Sequence, residues 1–296
     1  MKVFSLTEGS SSFLVEWYAK QIGANPENYK HYIHPQEDYL LMSQKYPIAV
    51  VADGVTLEFQ KDGKYPNPSG AGELAKIFCE TIIEATEDGY DNLSEEELVH
   101  IFRKGNEVAG QYNQKNNRTK ENSNFLDYDL FAATCVFACI KDKKVFWASL
   151  CDARFLHLDK NGKVKFASDA GWNVFTKNLP SNWNEIDKNE KKIIVRSKYR
   201  NGLDINGNPI GYGVVTGDEA AEKYLNFGSR EVEEGDIIIL CSDGFYEYFE
   251  NKDFVDLLLS ATIEKLEPNI KDFILQKSKE EPDKYGHEKT LIAIFN

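Results

Sequence analysis

Two aspartates, Asp53 and Asp243, lie where apolar stretches of the sequence end, and each is followed by a glycine. The stretches, residues 46–55 and 235–241, are typical of buried strands that run into turns. A strand fixes the direction of a carboxylate, and the neighbouring glycine lets backbone and water approach a cation. This placement suits oxygen ligation of Mg²⁺ or Mn²⁺.

Three more carboxylates occur beside predicted strands. Glu37 and Asp38 directly precede the short strand at residues 39–42, and Asp152 interrupts an apolar strand region. A carboxylate in apolar surroundings is costly unless it is paired or bound to a cation. A single Asp-Gly pair is usually a plain turn. Four carboxylate sites, each next to a strand, together favour a metal site.

Strands and helices follow one another in blocks, which predicts one α+β domain spanning residues 1–296. Ser94 and Glu97 form a capping box that starts a helix with an apolar face. An irregular insertion, residues 170–209, holds two of the four tryptophans and could be a small satellite core or a substrate-side flap. The other predicted elements are helices at 69–85, 252–266 and 269–278, a loop at 114–129, and strands at 130–140, 144–149, 154–158 and 290–295.

The composition excludes several classes of protein. The 296 residues include 48 acidic and 35 basic side chains, a formal charge of −13 that repels nucleic acid. No stretch approaches the ~20 apolar residues of a membrane span, and the N-terminus lacks a signal-peptide core. The five scattered cysteines indicate buried thiols in a reducing compartment. We therefore expect a cytoplasmic monomer that binds neither nucleic acid nor membrane.

Taken in order, six segments between residues 36 and 294 resemble the motifs of the PP2C-type metal-dependent protein phosphatases. The segments are Glu37-Asp38, 50–55 (VVADGV), 131–138 (FAATCVFA), 150–154 (LCDAR), 211–217 (GYGVVTG) and 240–245 (LCSDGF). The resemblance implies a four-layer α-β-β-α sandwich, in which two packed antiparallel sheets carry helices on both outer faces. It also implies a serine/threonine phosphatase that acts on phosphoproteins with two or more Mn²⁺ or Mg²⁺ ions.

The resemblance further implies the roles of individual residues. Asp53 would bridge two ions that share a hydroxide, which attacks the phosphorus of the substrate, and Gly54 would donate its carbonyl oxygen. Glu37 and Asp38 would bind metal-bound waters. Asp152 would join Asp243 at a further ion.

The sequence departs from the family at two places. The last ligand motif of the family begins with an aspartate, where this chain has His287 followed by Glu288. Either residue could complete the metal site, and a histidine ligand would favour Mn²⁺. Ile33 occupies the place of an arginine that holds phosphate in many members, with His34 beside it as a candidate phosphate contact or general acid. These departures keep open a second interpretation, a weak or inactive pseudophosphatase that serves as a binding module.

Overall fold

The structure, a computed structural model, describes residues 1–21, 35–55, 69–260 and 262–296. In these ranges ten strands form two five-stranded sheets whose neighbours are all antiparallel. The first sheet has the order β1-β10-β9-β6-β7 and the second β2-β3-β4-β5-β8. The strands are β1 (Lys2–Glu8), β2 (Asp38–Met42), β3 (Ile48–Val55), β4 (Ala132–Lys141), β5 (Lys144–Leu150), β6 (Arg154–Leu158), β7 (Val164–Ala167), β8 (Asn226–Glu231), β9 (Ile237–Cys241) and β10 (Lys289–Phe295).

Alternating side chains of the central strands explain the layers. On β3, Val51 enters the core between the two sheets, while Val50 faces the helices that cover its sheet. On β9, Leu240 enters the same inter-sheet core, while Ile239 faces a second set of helices. Because successive residues of a strand point to opposite faces, a strand buried on both sides must be apolar throughout. The predicted α+β four-layer architecture is confirmed.

The helices have the following bounds. They are α1 (Ser12–Gln21), α2 (Gly70–Gly89), α3 (Glu95–Lys115), α4 (Trp172–Lys177), α5 (Lys188–Ile194), α6 (Tyr246–Phe249), α7 (Lys252–Ser260), α8 (Ile263–Glu280) and α9 (Pro282–Tyr285). Helices α2 and α3 pack on the β2–β3 sheet, and α7 and α8 pack on the β9–β10 sheet. The predicted cap of α3 is present, since Ser94 Oγ accepts a hydrogen bond from the Glu97 amide at 3.2 Å. No helix in the described ranges is both long enough and apolar enough to span a membrane.

Some predicted boundaries are wrong. The two C-terminal helices were expected at 252–266 and 269–278, but α8 begins at Ile263 and contains Pro268. Pro268 lies in the second turn of α8, where it removes one backbone donor, and the helix continues past it to Glu280. The insertion at 170–209 is not wholly irregular, because it contains α4 and α5. The edge strands β1, β7 and β8 were not predicted.

Asp152 lies between two of the predicted strands, in the short turn that joins β5 to β6. These strands belong to different sheets, so the chain crosses from one sheet to the other at this turn. Cys151, directly before it, has a φ of 61°, an uncommon conformation for a residue with a side chain. The crossing brings Asp152 to the same end of the sandwich as Asp53, because Asp53 pairs with Thr134 and Leu150 with Cys135 on β4.

Candidate metal centre

Three carboxylates meet at one end of the sandwich. Asp38 on β2 and Asp53 on β3 are direct cross-strand partners, so both belong to the same sheet. Glu288 directly precedes β10 of the other sheet. One carboxylate oxygen from each of the three lies within 4.8 Å of the other two. Hard oxygen ligands at this separation can bind a divalent cation such as Mn²⁺ or Mg²⁺.

Backbone contacts hold Glu288 against β2. The amide of Glu37 donates a hydrogen bond of 2.9 Å to Glu288 Oε2, and the Gly54 amide donates one of 3.2 Å to the Glu37 carbonyl. Gly54 has no room for a side chain, because a Cβ atom there would lie 2.8 Å from the backbone of Ala71. The glycine after Asp53 therefore permits α2 to approach the end of β3 closely.

The two oxygens of Asp38 have different surroundings. Ser242 Oγ donates a 2.7 Å hydrogen bond to Oδ2, and the same hydroxyl accepts one of 2.9 Å from the Thr290 amide. The other oxygen, Oδ1, is buried and has no hydrogen-bond partner among the residues that the structure describes. A buried carboxylate oxygen without a donor is costly, and a cation would satisfy it. This oxygen shows that the residues present fit a bound metal ion.

Asp243 and Asp152 lie near the group of three but outside it. Asp243 follows β9 and begins a short 3-10 turn. Its neighbour Gly244 lies so close to the backbone of Glu288 that a Cβ atom on Gly244 would be 2.0 Å from the Glu288 carbonyl oxygen. Asp152 Oδ1 is buried and has no hydrogen-bond partner within the described ranges. Both carboxylates raise the pKa of Asp53, which places them within electrostatic reach of it.

The site concentrates negative charge in a poorly hydrated place. Burial, followed by the nearby Glu288 carboxylate, raises the pKa of Glu37 to about 9 and that of Asp38 to about 7. Burial and the neighbouring acids also raise the pKa of Asp53 well above its ordinary value, and that of Asp243 to about 6. Mutual repulsion of this kind favours either protons or a cation among the carboxylates.

Glu37 makes its own contacts beside the cluster. Ser69, which caps α2 by accepting hydrogen bonds from the amides of Ala71 and Gly72, donates its hydroxyl proton to Glu37 Oε1. The Glu37 carbonyl accepts from Gly54. Glu37 thus connects the start of α2 to the strand that carries Asp53.

One internal cation lies beside the acids. Lys289 is buried on β10, and its ammonium group donates to the backbone carbonyl of His287. Burial lowers the pKa of Lys289 to about 8, although Asp38, Glu8, Glu288 and Asp243 all oppose that shift. Nothing in the sequence indicated a buried lysine here. Its charge offsets part of the negative charge of the cluster.

His287, one of the two histidines considered from the sequence, is not part of this cluster. His287 is exposed, and its Nε2 lies 3.0 Å from the carbonyl oxygen of Asp283, to which it donates because a carbonyl only accepts. The adjacent Glu288 is the residue that meets Asp38 and Asp53. His34 and Ile33 lie outside the described residues.

Comparison with known proteins identifies the family. The family model described as Protein phosphatase 2C matches residues 32–185, more than half of the chain. The chain belongs to this family of serine/threonine phosphatases, which are hydrolases that use Mn²⁺ or Mg²⁺. No curated protein sequence matches the chain.

Solved structures share the fold at low sequence identity. The Mycobacterium tuberculosis serine/threonine phosphatase PstP/Ppp is 13% identical with a TM-score of 0.57, over 100% of this chain and 98% of that one. The catalytic domain of PstP in complex with two manganese ions is 13% identical with a TM-score of 0.57, over 99% and 96%. Stp1 from Staphylococcus aureus is 15% identical with a TM-score of 0.57, over 99% and 94%. At these identities the likeness establishes the fold.

Proposed function

We propose that this protein is a metal-dependent phosphatase that removes phosphate from phosphoserine and phosphothreonine in proteins. The observation that carries the proposal is the meeting of Asp38, Asp53 and Glu288 within 4.8 Å, with Asp38 Oδ1 buried and lacking a donor among the described residues. Family membership supports the reaction class. A cytoplasmic location and a monomeric state stay predictions.

The proposed ligands come from both sheets. Asp38 and Asp53 are supplied by β2 and β3, and Glu288 and Asp243 by the segments that flank β10 and β9. Gly54 would contribute its carbonyl oxygen. Glu37 and Asp152 would bind through water or at a further ion, and His287 would only hold the Asp283 carbonyl. A histidine ligand is therefore not part of the proposal, and the Mn²⁺ preference expected from one is dropped.

The chain's own residues prepare the site for hydrolysis. Bound divalent ions supply an acidified water as nucleophile and offset charge on the phosphoryl oxygens. Ser242 holds one oxygen of Asp38, and the Glu37 amide holds one oxygen of Glu288, so that the orientation of both carboxylates is fixed. Orientation of this kind lowers the barrier because the reacting groups are held in place before the reaction.

The test of the proposal is phosphate release from an aryl phosphate and a phosphothreonine peptide. After chelator treatment, activity should return with Mn²⁺ or Mg²⁺ and disappear in Asp53→Asn. Asp272→Asn, which changes an exposed aspartate on α8, is the matched control and should keep full activity. Metal-dependent activity that survives in Asp53→Asn would refute the proposal.

One observation favours a second candidate, a binding module without catalysis. The family's aspartate position holds His287, and this side chain lies outside the carboxylate cluster. Calorimetry distinguishes the candidates. A tight Mn²⁺ isotherm that weakens in Glu288→Gln supports the phosphatase, whereas a folded protein that binds no Mn²⁺ supports the binding module.

A further inference from the structure

A cavity of about 360 Å³ opens beside the end of β3. Val55 and Ala132, which are cross-strand partners on β3 and β4, form part of its floor. Val55 lies two residues beyond Asp53 and shares its face of the strand. At ~3.3 Å per residue, the Cα atom of Val55 lies about 7 Å from that of Asp53, one of the proposed metal ligands. A substrate bound at the metals would pass next to the cavity.

One wall of the cavity is basic. Lys188, Lys191, Lys192 and Val195 line it at the spacing i, i+3, i+4 and i+7, which is one face of α5 and the turn that follows. Lys188 and Lys192 are exposed, and none of the three lysines forms an ion pair with any residue in the described ranges. Their charges are therefore available to an incoming group.

Two arginines behind this wall share a single carboxylate. Arg200 makes hydrogen bonds of 2.9 and 2.7 Å to the two oxygens of Asp129, and Arg196 Nε lies 3.6 Å from the same carboxylate. Both arginines also line the cavity. Two guanidinium groups against one carboxylate leave net positive charge at the back of the cavity.

The wall is held in place by an aromatic cluster. Tyr199 and Tyr212 are buried, and Phe175 of α4 packs edge-on against both rings. Val195 packs against the same cluster. The segment that carries the lysines is thus attached to the sheet and presents a preformed surface.

The sign of this surface contrasts with the rest of the chain. Residues 185–200 contain six basic and three acidic side chains, while the whole chain has a formal charge of −13. A local basic surface on an acidic protein attracts anions from solution. The overall negative charge disfavours a polyanion as long as a nucleic acid, which would extend beyond this surface.

We propose that the cavity binds acidic side chains that flank the phosphorylated residue of a protein substrate, so that this phosphatase prefers acidic phosphorylation sites. The inference rests on the proposed function, because it places the phosphorylated residue at the metal centre. An extended peptide advances ~3.3 Å per residue, so glutamates or aspartates about two to four positions from the phosphoresidue reach the lysines. Their methylene groups would pack on Val55 and Val214, which also lines the cavity.

The experiment compares three substrates in the presence of Mn²⁺. These are a phosphothreonine peptide with glutamates on both sides, the same peptide with glutamines, and an aryl phosphate. The variant is Lys188→Gln with Lys192→Gln, which changes two exposed lysines outside the proposed metal ligands. Lys198→Gln is the matched control, since Lys198 is exposed on the same segment but does not line the cavity.

We expect kcat/KM for the glutamate peptide to fall about tenfold in the double variant, as expected for the loss of two solvent-exposed ion pairs. The glutamine peptide, the aryl phosphate and the Lys198→Gln enzyme should be unaffected, and added salt should reduce the preference. Equal turnover of both peptides by the wild type, or an equal loss in Lys198→Gln, would overturn the inference and leave the proposed function intact.

A binding measurement separates the two proposals. Fluorescence anisotropy of the labelled peptides, with metal-free protein, should show tighter binding of the glutamate peptide that is lost in the double variant. If no substrate is hydrolysed, the proposed function fails, and equal anisotropy for both peptides then overturns the inference as well. A single-stranded oligonucleotide that binds more tightly than the glutamate peptide, with the same lysine dependence, would also overturn it.

Discussion

Glu37 makes the metal-free protein sensitive to pH in an unusual direction. Its pKa is raised from 4.5 to about 9, first by burial and then by Glu288 and Asp38, so the folded state holds a proton that the unfolded state releases. An acid whose pKa is higher in the folded state than in the unfolded state stabilises the fold fully at pH values below the unfolded-state pKa. This stabilisation is lost as the pH rises through the folded-state pKa. In EDTA, this protein should therefore become less stable between about pH 4.5 and 9.

The size of the effect follows from the shift. Between pH 5 and 7 the Glu37 carboxyl stays protonated in the fold and is largely ionised in the unfolded chain, which amounts to about 2–3 kcal/mol of unfolding free energy. For a chain of 296 residues, whose entropy of unfolding is about 0.6 kcal/mol per kelvin, the loss corresponds to a fall of roughly 3–5 °C in Tm. Saturating Mn²⁺ should oppose the fall, because bound metal replaces the protons and favours ionised ligands.

The assay is thermal unfolding at pH 5, 6, 7 and 8, in EDTA and in Mn²⁺. Glu37→Gln should reduce the fall in EDTA by the contribution of Glu37, because glutamine cannot ionise, and the raised pKa values of Asp38, Asp53 and Asp243 account for the remainder. Glu234→Gln, a change at an exposed glutamate, should leave the fall unaltered. The electrostatic description of the site is refuted if the metal-free wild type is equally stable at pH 5 and 7, or if wild type and Glu37→Gln have the same pH dependence.

Three further predictions concern neighbouring residues. Gly54→Ala should lower the unfolding free energy by about 1–3 kcal/mol and weaken Mn²⁺ binding, because the added Cβ would lie 2.8 Å from backbone atoms of Ala71. Urea unfolding measures the first effect and calorimetry the second. Glu288→Gln should lower the affinity for Mn²⁺ at least about tenfold, while His287→Ala should leave it unchanged. An equal loss of Mn²⁺ affinity in the two variants would contradict the placement of Glu288, and not His287, beside Asp38 and Asp53. Lys289→Met should increase the rise in Tm that Mn²⁺ produces, because the metal-free acids lose a buried positive charge; a smaller rise than in the wild type would count against this reasoning.

The central strands and the carboxylates beside them could be predicted from the sequence. Strands such as β3 and β9 are buried on both faces, so they appear as continuous apolar runs that few other structures explain. The edge strand β8 could not be recognised, because its residues, which are half-buried or exposed, follow no apolar pattern. Periodicity therefore locates the core of each sheet and leaves its edges undefined.

The choice between His287 and Glu288 could not be made from the sequence. Adjacent residues beside a strand point in different directions, and only the pairing of β10 with β9 determines which of the two meets β2. The positions of Lys289 and of the basic cavity likewise depend on packing between segments far apart in the chain. Residue types predicted the kind of site, and the register of distant strands determined which side chains belong to it.

The bond between the Glu37 amide and Glu288 joins residues 251 positions apart, and each comes from a different sheet. The candidate metal centre therefore lies across the interface between the two sheets. Its affinity for a divalent cation should depend on how closely the two sheets pack. By reciprocity, a change that loosens the inter-sheet core, such as Ile292→Ala, would weaken cation binding without touching a ligand.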